Sequence, residues 1–174
     1  MAQKLNKRLV ADADEQRTDK FFADARLRKN ERAELDDYKG SGYSRGHMAP
    51  AGDMPNPTAM AQSFSLANMV PQSQKHNGGA WAKIEKDTRK YAERAAGDVY
   101  VITGPVYSPG SSQSIGAGKV RVPDYIFKLV YDESGNRAWA HWHRNSDDER
   151  GGPPINYKEL VKRTGIEFLP GVRL

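Results

Sequence analysis

Cysteine is absent from this 174-residue chain. Its absence excludes disulfide bridges, thiol nucleophiles and structural zinc sites built on Cys ligands. It leaves the compartment open, because a cysteine-free protein tolerates both reducing and oxidising surroundings. No apolar run approaches the length of a membrane span, so no membrane partner is expected. Residues 1–20 are charged throughout and do not read as a signal peptide. The expectation is either an intracellular protein or a chain whose targeting segment has been removed. Internal repeats, low-complexity stretches and segregated charge are missing too. Basic and acidic residues alternate through residues 7–39, as on a solvated face rather than in a polybasic tail.

What is present fits one domain over residues 1–174, with enough chain for one compact core. Lys and Arg number 27 against 22 Asp and Glu, for a net charge of +5. A basic balance favours polyanionic partners, because Lys and Arg replace condensed counterions on a phosphate backbone. Many proteins without a nucleic-acid ligand are equally basic, so charge alone decides little.

Residues 3–37 predict one or two short helices and irregular chain. The segment YKGSGYSRGHMAPAGDMPNP is too rich in Gly and Pro for a helix and predicts a short strand around Arg45–Ala49. A helix capped by Thr58 is expected to end near Asn68, and residues 71–79 to form a loop. Residues 80–96 predict a long helix stopped by Gly97. VYVITGPVY, DYIFKLVYD and RAWAHWHRN read as strands, the last two joined by the turn ESGN. Residues 108–123 read as a long loop. YKELVKRTG reads as a helix ended by Gly165. The sum is an α+β fold with a mainly antiparallel sheet.

Phosphodiester hydrolysis needs a base, a cation, a protonation route for the leaving oxygen and anchors for phosphate. His47, in SRGH, is a residue type suited to base catalysis near neutral pH. Arg45 lies two residues away, on the same face of a strand. An isolated RGH tripeptide favours a satisfied loop histidine and a surface arginine instead. Asn77 precedes two glycines and the long helix, and Glu85 follows eight residues later, about two turns up, so the two side chains can project to roughly the same side. An amide oxygen with retained waters suits magnesium. Taken singly, Asn77 reads as a helix N-cap, Glu85 as an exposed charge and Asn68 as a C-cap. His76 has no obvious partner.

The strings GYSRGHMAPAGDM, SFSLANMVPQSQKHNGGAWAKIE and VYVITGPVY occur together and in order. In them the chain resembles the DNA/RNA non-specific endonuclease family, which includes mitochondrial endonuclease G and its exonuclease-like paralogue. The resemblance runs from near Arg17 to the C-terminus, and it implies that residues 1–16 are a trimmed or variant amino terminus, since family members usually carry another strand or more there. It implies a ββα-metal (His-Me finger) nuclease that cuts DNA and RNA with little regard to sequence, leaving 5′-phosphate and 3′-hydroxyl ends. It implies Mg2+ as cofactor, with Mn2+ as a substitute. His47 matches the general base, Asn77 the single direct metal ligand, and Glu85 the acid that holds metal-bound water. Arg45 matches a phosphate-contacting arginine and Asn68 a supporting asparagine. Arg17, in RTDKFF, resembles an arginine that steadies the transition state, with Lys20 as an alternative occupant. The signature's usual Asp is Ser44 here, as in the exonuclease-like paralogues. The resemblance favours a secreted or periplasmic setting, and it leaves room for a homodimer and for an inhibitor or immunity protein as partner. Two rival readings are a toxin module held off by such a protein and a non-catalytic nucleic-acid-binding relative. The second would be expected to lose His47 or Asn77.

Overall fold

The computed structural model describes residues 1–174. The chain opens with a strand, β1 (Ala2–Leu5), and a short helix, α1 (Lys7–Ala11), capped by the Asn6 side chain accepting from Leu9 N at 2.9 Å. The sequence pattern predicted no strand here. Of its four residues only Leu5 is buried, so no alternation was there to read. After α2 (Leu35–Tyr38) come β2 (Tyr43–His47), α3 (Pro57–Ser63) and β3 (Met69–Ser73).

β2 and β3 pair antiparallel as a separate ribbon, with His47 opposite Met69 and Arg45 opposite Pro71. The strand expected at Arg45–Ala49 therefore starts two residues earlier and ends at His47. β3 was expected as loop because Pro71 reads as a breaker. A two-stranded ribbon has free edges, where the missing N–H of proline costs no ladder bond. α3 is capped by Asn56, whose side chain accepts from Ala59 N at 2.9 Å, rather than by Thr58. It stops at Ser63, so Asn68 is not its C-cap.

A continuous helix follows: α4 (Gln74–His76), a π-helical turn (Asn77–Trp81) and α5 (Ala82–Arg94). Gly78 and Gly79 suggested a loop up to Ala80. Each glycine costs a helix about 1 kcal/mol relative to alanine, and tertiary packing overrides that here. Trp81 and Ile84 pack with Met48 and Val70 of the ribbon side and Ile126 of the sheet. Fully burying one such side chain contributes about 1.5–3 kcal/mol. The helix is thus clamped across the ribbon, which is the ββα arrangement.

The main sheet adds β4 (Val99–Val106), β7 (Tyr125–Asp132), β8 (Arg137–Arg144) and β9 (Ile155–Asn156) in the order β1-β4-β7-β8-β9, every pair antiparallel. A small hairpin, β5 (Ser114–Ile115) with β6 (Val120–Arg121), lies inside the stretch expected as a long loop. On one face of the sheet Ala92 of α5 meets Leu5, Val99, Val101 and Val130. On the other, Leu160 of α6 (Tyr157–Thr164) meets Phe127, Leu129 and Ala140. β7 is covered on both faces, which is why it reads as an apolar run. α6 ends at Gly165, whose φ of 70° is open to glycine without strain.

Burial dominates the histidines. His47, His76 and His141 are each held at about 4, and His143 is also lowered, with loss of hydration the first cause in every case. Unfolding returns them toward 6.5, so the unfolded chain binds more protons between pH 4 and 6.5. The stability these groups allow is complete above pH 6.5 and is lost as pH falls toward 4. Glu85, raised by burial to about 7, acts in the opposite sense over part of that window. Three histidines outweigh one carboxyl. Urea unfolding should therefore show stability falling by at least about 2 kcal/mol from pH 7 to pH 4. A flat profile would contradict this assignment of charge states.

Candidate active site

The site is built where the ribbon crosses the helix. On β2, Arg45 and His47 share one face while Ser44 and Gly46 take the other. Gly46 is there because Gln72 of the facing strand crosses it: a Cβ at Gly46 would sit 2.1 Å from Gln72 Oε1. Ser44, the departure from the usual signature, lies opposite Gln72 and away from the face that carries His47.

His47 is 8% exposed, and its ring stands edge-on to Phe64 at 5.0 Å, with Phe21 at 6.0 Å. Its Nε2 is buried with no hydrogen-bond partner. Burial first, and the positive charge of Arg17 second, bring its pKa down to about 4. The imidazole is neutral at pH 7, the form that can take a proton.

Asn68 fixes the backbone just after His47. Its Nδ2 donates to Ala49 O at 2.9 Å and Ser63 O at 3.0 Å, and its Oδ1 accepts from Ala49 N at 3.0 Å. Its own carbonyl accepts from Met48 N at 2.9 Å. Asn68 thus has its side-chain donors and acceptor engaged in holding the strand end that follows His47.

Arg45 has its guanidinium 4.8 Å from the Phe21 ring centre, and its Nε is buried without a partner. Arg17 lies 5.1 Å from the Phe64 ring centre, on the same ring that supports His47, and pairs with Asp19. Arg17, and not the neighbouring Lys20, makes this contact. Two guanidinium groups therefore flank the neutral imidazole.

Asn77 is not an N-cap: its backbone is helical, at φ −57° and ψ −47°. Eight residues of regular α-helix would leave Asn77 and Glu85 roughly 80° apart around the axis. A π turn takes in one extra residue, which removes about one 100° step and leaves them roughly 20° apart. Helical side chains also lean toward the N-terminus, so Glu85 leans back toward Asn77. The π turn is what gives the two residues a common face. The side-chain hydrogen bonds along this helix belong to His76, Lys83, Thr88, Arg89 and Tyr91. Asn77 and Glu85 form none, and both keep their oxygens uncommitted.

That donor set decides which cation fits. No group of three or more His, Cys, Asp and Glu able to hold a metal is present, which disfavours a closed zinc-type centre. One amide oxygen and one nearby carboxylate fit a hard cation that keeps most of its waters, as magnesium does. Burial pushes the Glu85 carboxyl up to about 7, against the pull of Lys128, Arg89 and Arg17. A cation beside it would favour the ionised form.

Two functional neighbours were missed in the sequence. Asp53 is 6% exposed and accepts from Arg89 Nη1 at 2.8 Å and from Gln3 Nε2 at 2.7 Å. β1, the strand that was not foreseen, thereby supports the site. The available signal was Arg89 one turn beyond Glu85 on the same helix face. Lys128 is 1% exposed and donates to Thr103 Oγ1 at 2.9 Å, with the Trp81 ring centre 5.3 Å away. A lone charge inside the apolar run of β7 was the sign of it.

Known proteins share this family and fold. A family model described as DNA/RNA non-specific endonuclease matches residues 1–174. The mitochondrial nuclease EXOG of Xenopus laevis is 39% identical over 170 residues, covering 87% of this chain and 47% of that protein. Human mitochondrial endonuclease G is 37% identical, covering 95% of this chain and 61% of that protein. Nuclease C1 of Cunninghamella echinulata is 36% identical, covering 88% and 65%. The chain thus spans roughly half the length of the curated relatives it matches. A chain from a crystal structure of an EndoG/EndoGI complex superposes with a TM-score of 0.89 at 28% identity, covering 99% of this chain and 78% of that one. With a family model matched from end to end and the ββα crossing in place, the chain belongs to the DNA/RNA non-specific endonuclease family.

Proposed function

We propose that the chain is a magnesium-dependent nuclease that hydrolyses phosphodiester bonds of DNA and RNA without sequence preference. The observation that carries this reading is the neutral, buried His47 imidazole, flanked by Arg17 and Arg45, with the charge of Arg17 acting both on His47 and on Glu85 of the long helix. His47 accepts the proton of the attacking water. Its direction is held by the Phe64 edge and by Asn68 behind the strand end. Arg45 and Arg17 hold the charge of the scissile phosphate. Asn77 would bind magnesium directly and Glu85 through water, and the ion would supply charge stabilisation at the phosphate and at the leaving oxygen. Contacts of this kind go to phosphates and not to base edges, which accounts for indifference to sequence.

Retention of both His47 and Asn77 favours this over a non-catalytic binding relative. An inhibitor protein is a partner consistent with the EndoG/EndoGI complex of the structural relative. The products test the reading. Nicked plasmid should be resealed by a ligase that requires 5′-phosphate and 3′-hydroxyl ends. Ends that need phosphatase or kinase treatment before sealing would contradict it.

A further inference from the structure

Beside the cluster at His47, a row of side chains leads away from Arg45 toward the β5–β6 hairpin. Arg45 lies 5.9 Å from the Tyr38 ring centre as well as over Phe21. Tyr38 is 4% exposed, and its hydroxyl has no hydrogen-bond partner. Burial, and then the neighbouring Tyr107 phenol, push that hydroxyl above its usual range, so the two phenols lie close. The Arg121 guanidinium lies over the Tyr107 ring at 4.4 Å. The row therefore reads Arg45, Tyr38, Tyr107, Arg121.

Its two cations are not neutralised. Neither arginine is in a salt bridge, and the one hydrogen bond either guanidinium makes is from Arg121 Nη2 to Ser111 O at 3.1 Å. A guanidinium stacked on a ring keeps its N–H groups in the plane, directed sideways to an acceptor. The hairpin that carries Arg121 is held in place. Asp37 Oδ1 accepts from Gly118 N at 2.7 Å, and Gln113 Nε2 donates to the Tyr43 hydroxyl at 2.6 Å. A Cβ at Gly116 would sit 2.3 Å from Asp37 Cα, so the hairpin meets α2 backbone to backbone. Asp37 is committed to this anchor and to Glu34 N at 2.9 Å, so its charge is tied to backbone N–H groups.

We propose that Arg121, stacked on Tyr107 and set off from Arg45 by the buried Tyr38 ring, forms a subsite for a backbone phosphate flanking the scissile one, so that the strand is led from the cleavage point across the β5–β6 hairpin. The inference rests on the nucleic-acid reading of the site. Its chemistry asks for a phosphodiester: two ring-stacked guanidinium groups outside any ion pair offer donors, and the carboxylate beside them, Asp37, is tied to backbone N–H groups.

The test is equilibrium binding of a fluorescein-labelled 12-nucleotide oligothymidylate, in EDTA so that no cleavage intervenes, across a salt series. Arg121→Gln should weaken binding at low salt by about 5–30-fold and reduce the slope of log K against log salt by about one. Arg121→Lys should keep most of the slope. Tyr107→Leu, which removes the ring under the Arg121 guanidinium, should weaken binding by about 2–5-fold, roughly the worth of one cation–π contact. Lys162→Gln, on the far face of the sheet, makes the same charge change and should leave affinity and slope as they are. Wild-type affinity and slope in Arg121→Gln would overturn the subsite. So would equal losses in Arg121→Gln and Lys162→Gln, which would mean that only net charge matters. If the wild type cut nothing with magnesium while Arg121→Gln alone lost affinity and slope, the subsite would stand and the catalytic reading would fall. A wild type that bound no oligonucleotide would overturn the subsite whatever the result for cleavage.

Discussion

Replacing His47 with alanine should lower the cleavage rate by about 10²–10⁴-fold, the usual cost of removing a general base, and leave the protein folded. The side chain makes no hydrogen bond through Nε2, so none is broken there. What is lost is an edge contact with Phe64, worth about 0.5–1.5 kcal/mol. Removal of a buried, unpartnered nitrogen offsets part of that loss. Asn68 still ties Met48 and Ala49, so the strand end keeps its place. Single-turnover cleavage with saturating magnesium, beside thermal unfolding of the same preparation, checks both halves. A rate within a few-fold of wild type would remove His47 from the chemistry.

Replacing Asn77 with alanine should have nearly as large an effect by a different route. It removes the amide oxygen offered to the cation and leaves the helix in place, because the side-chain hydrogen bonds along the helix belong to other residues. Removing one well-aimed electrostatic contact typically costs about 10²–10³-fold, and a similar loss is expected here. Helix content should hold or rise, because alanine is the better helix former. Gly79→Ala is the control. A Cβ there meets nothing within 4 Å, the π turn keeps its length, and activity should stay within about twofold, a change of well under 1 kcal/mol. Single-turnover cleavage across a magnesium series compares the two variants, and a wild-type rate in Asn77→Ala at limiting magnesium would show that no cation is held at Asn77 beside Glu85.

These two residues also show what the sequence could convey. β7 and β8 were legible from their apolar runs, and α6 from its apolar stripe, its cap and Gly165, because burial writes itself into composition. β1 was not, since one buried leucine makes no pattern. β3 was hidden by Pro71, and the start of the long helix by Gly78 and Gly79. In both, packing by Val70 and Trp81 outweighed local preference. Arg45 and His47 could be paired by strand alternation alone. The spacing of about two turns likewise put Asn77 and Glu85 on roughly the same side, but the π turn that narrows the angle between them could not be read, because a π turn has no composition of its own. Asp53 and Lys128 entered only with the tertiary structure, since their partners Arg89, Gln3 and Thr103 are all 25 or more residues away.

The central claim is that neutral His47 works with a hard cation held at Asn77 and Glu85. Its most direct test is digestion of plasmid DNA and of an unstructured RNA by the purified chain, with magnesium and after exhaustive chelation. The account predicts that both substrates are cut with magnesium, that chelation stops both, and that added magnesium or manganese restores both. Cleavage that persists after chelation would contradict it, as would an intact substrate in the presence of magnesium.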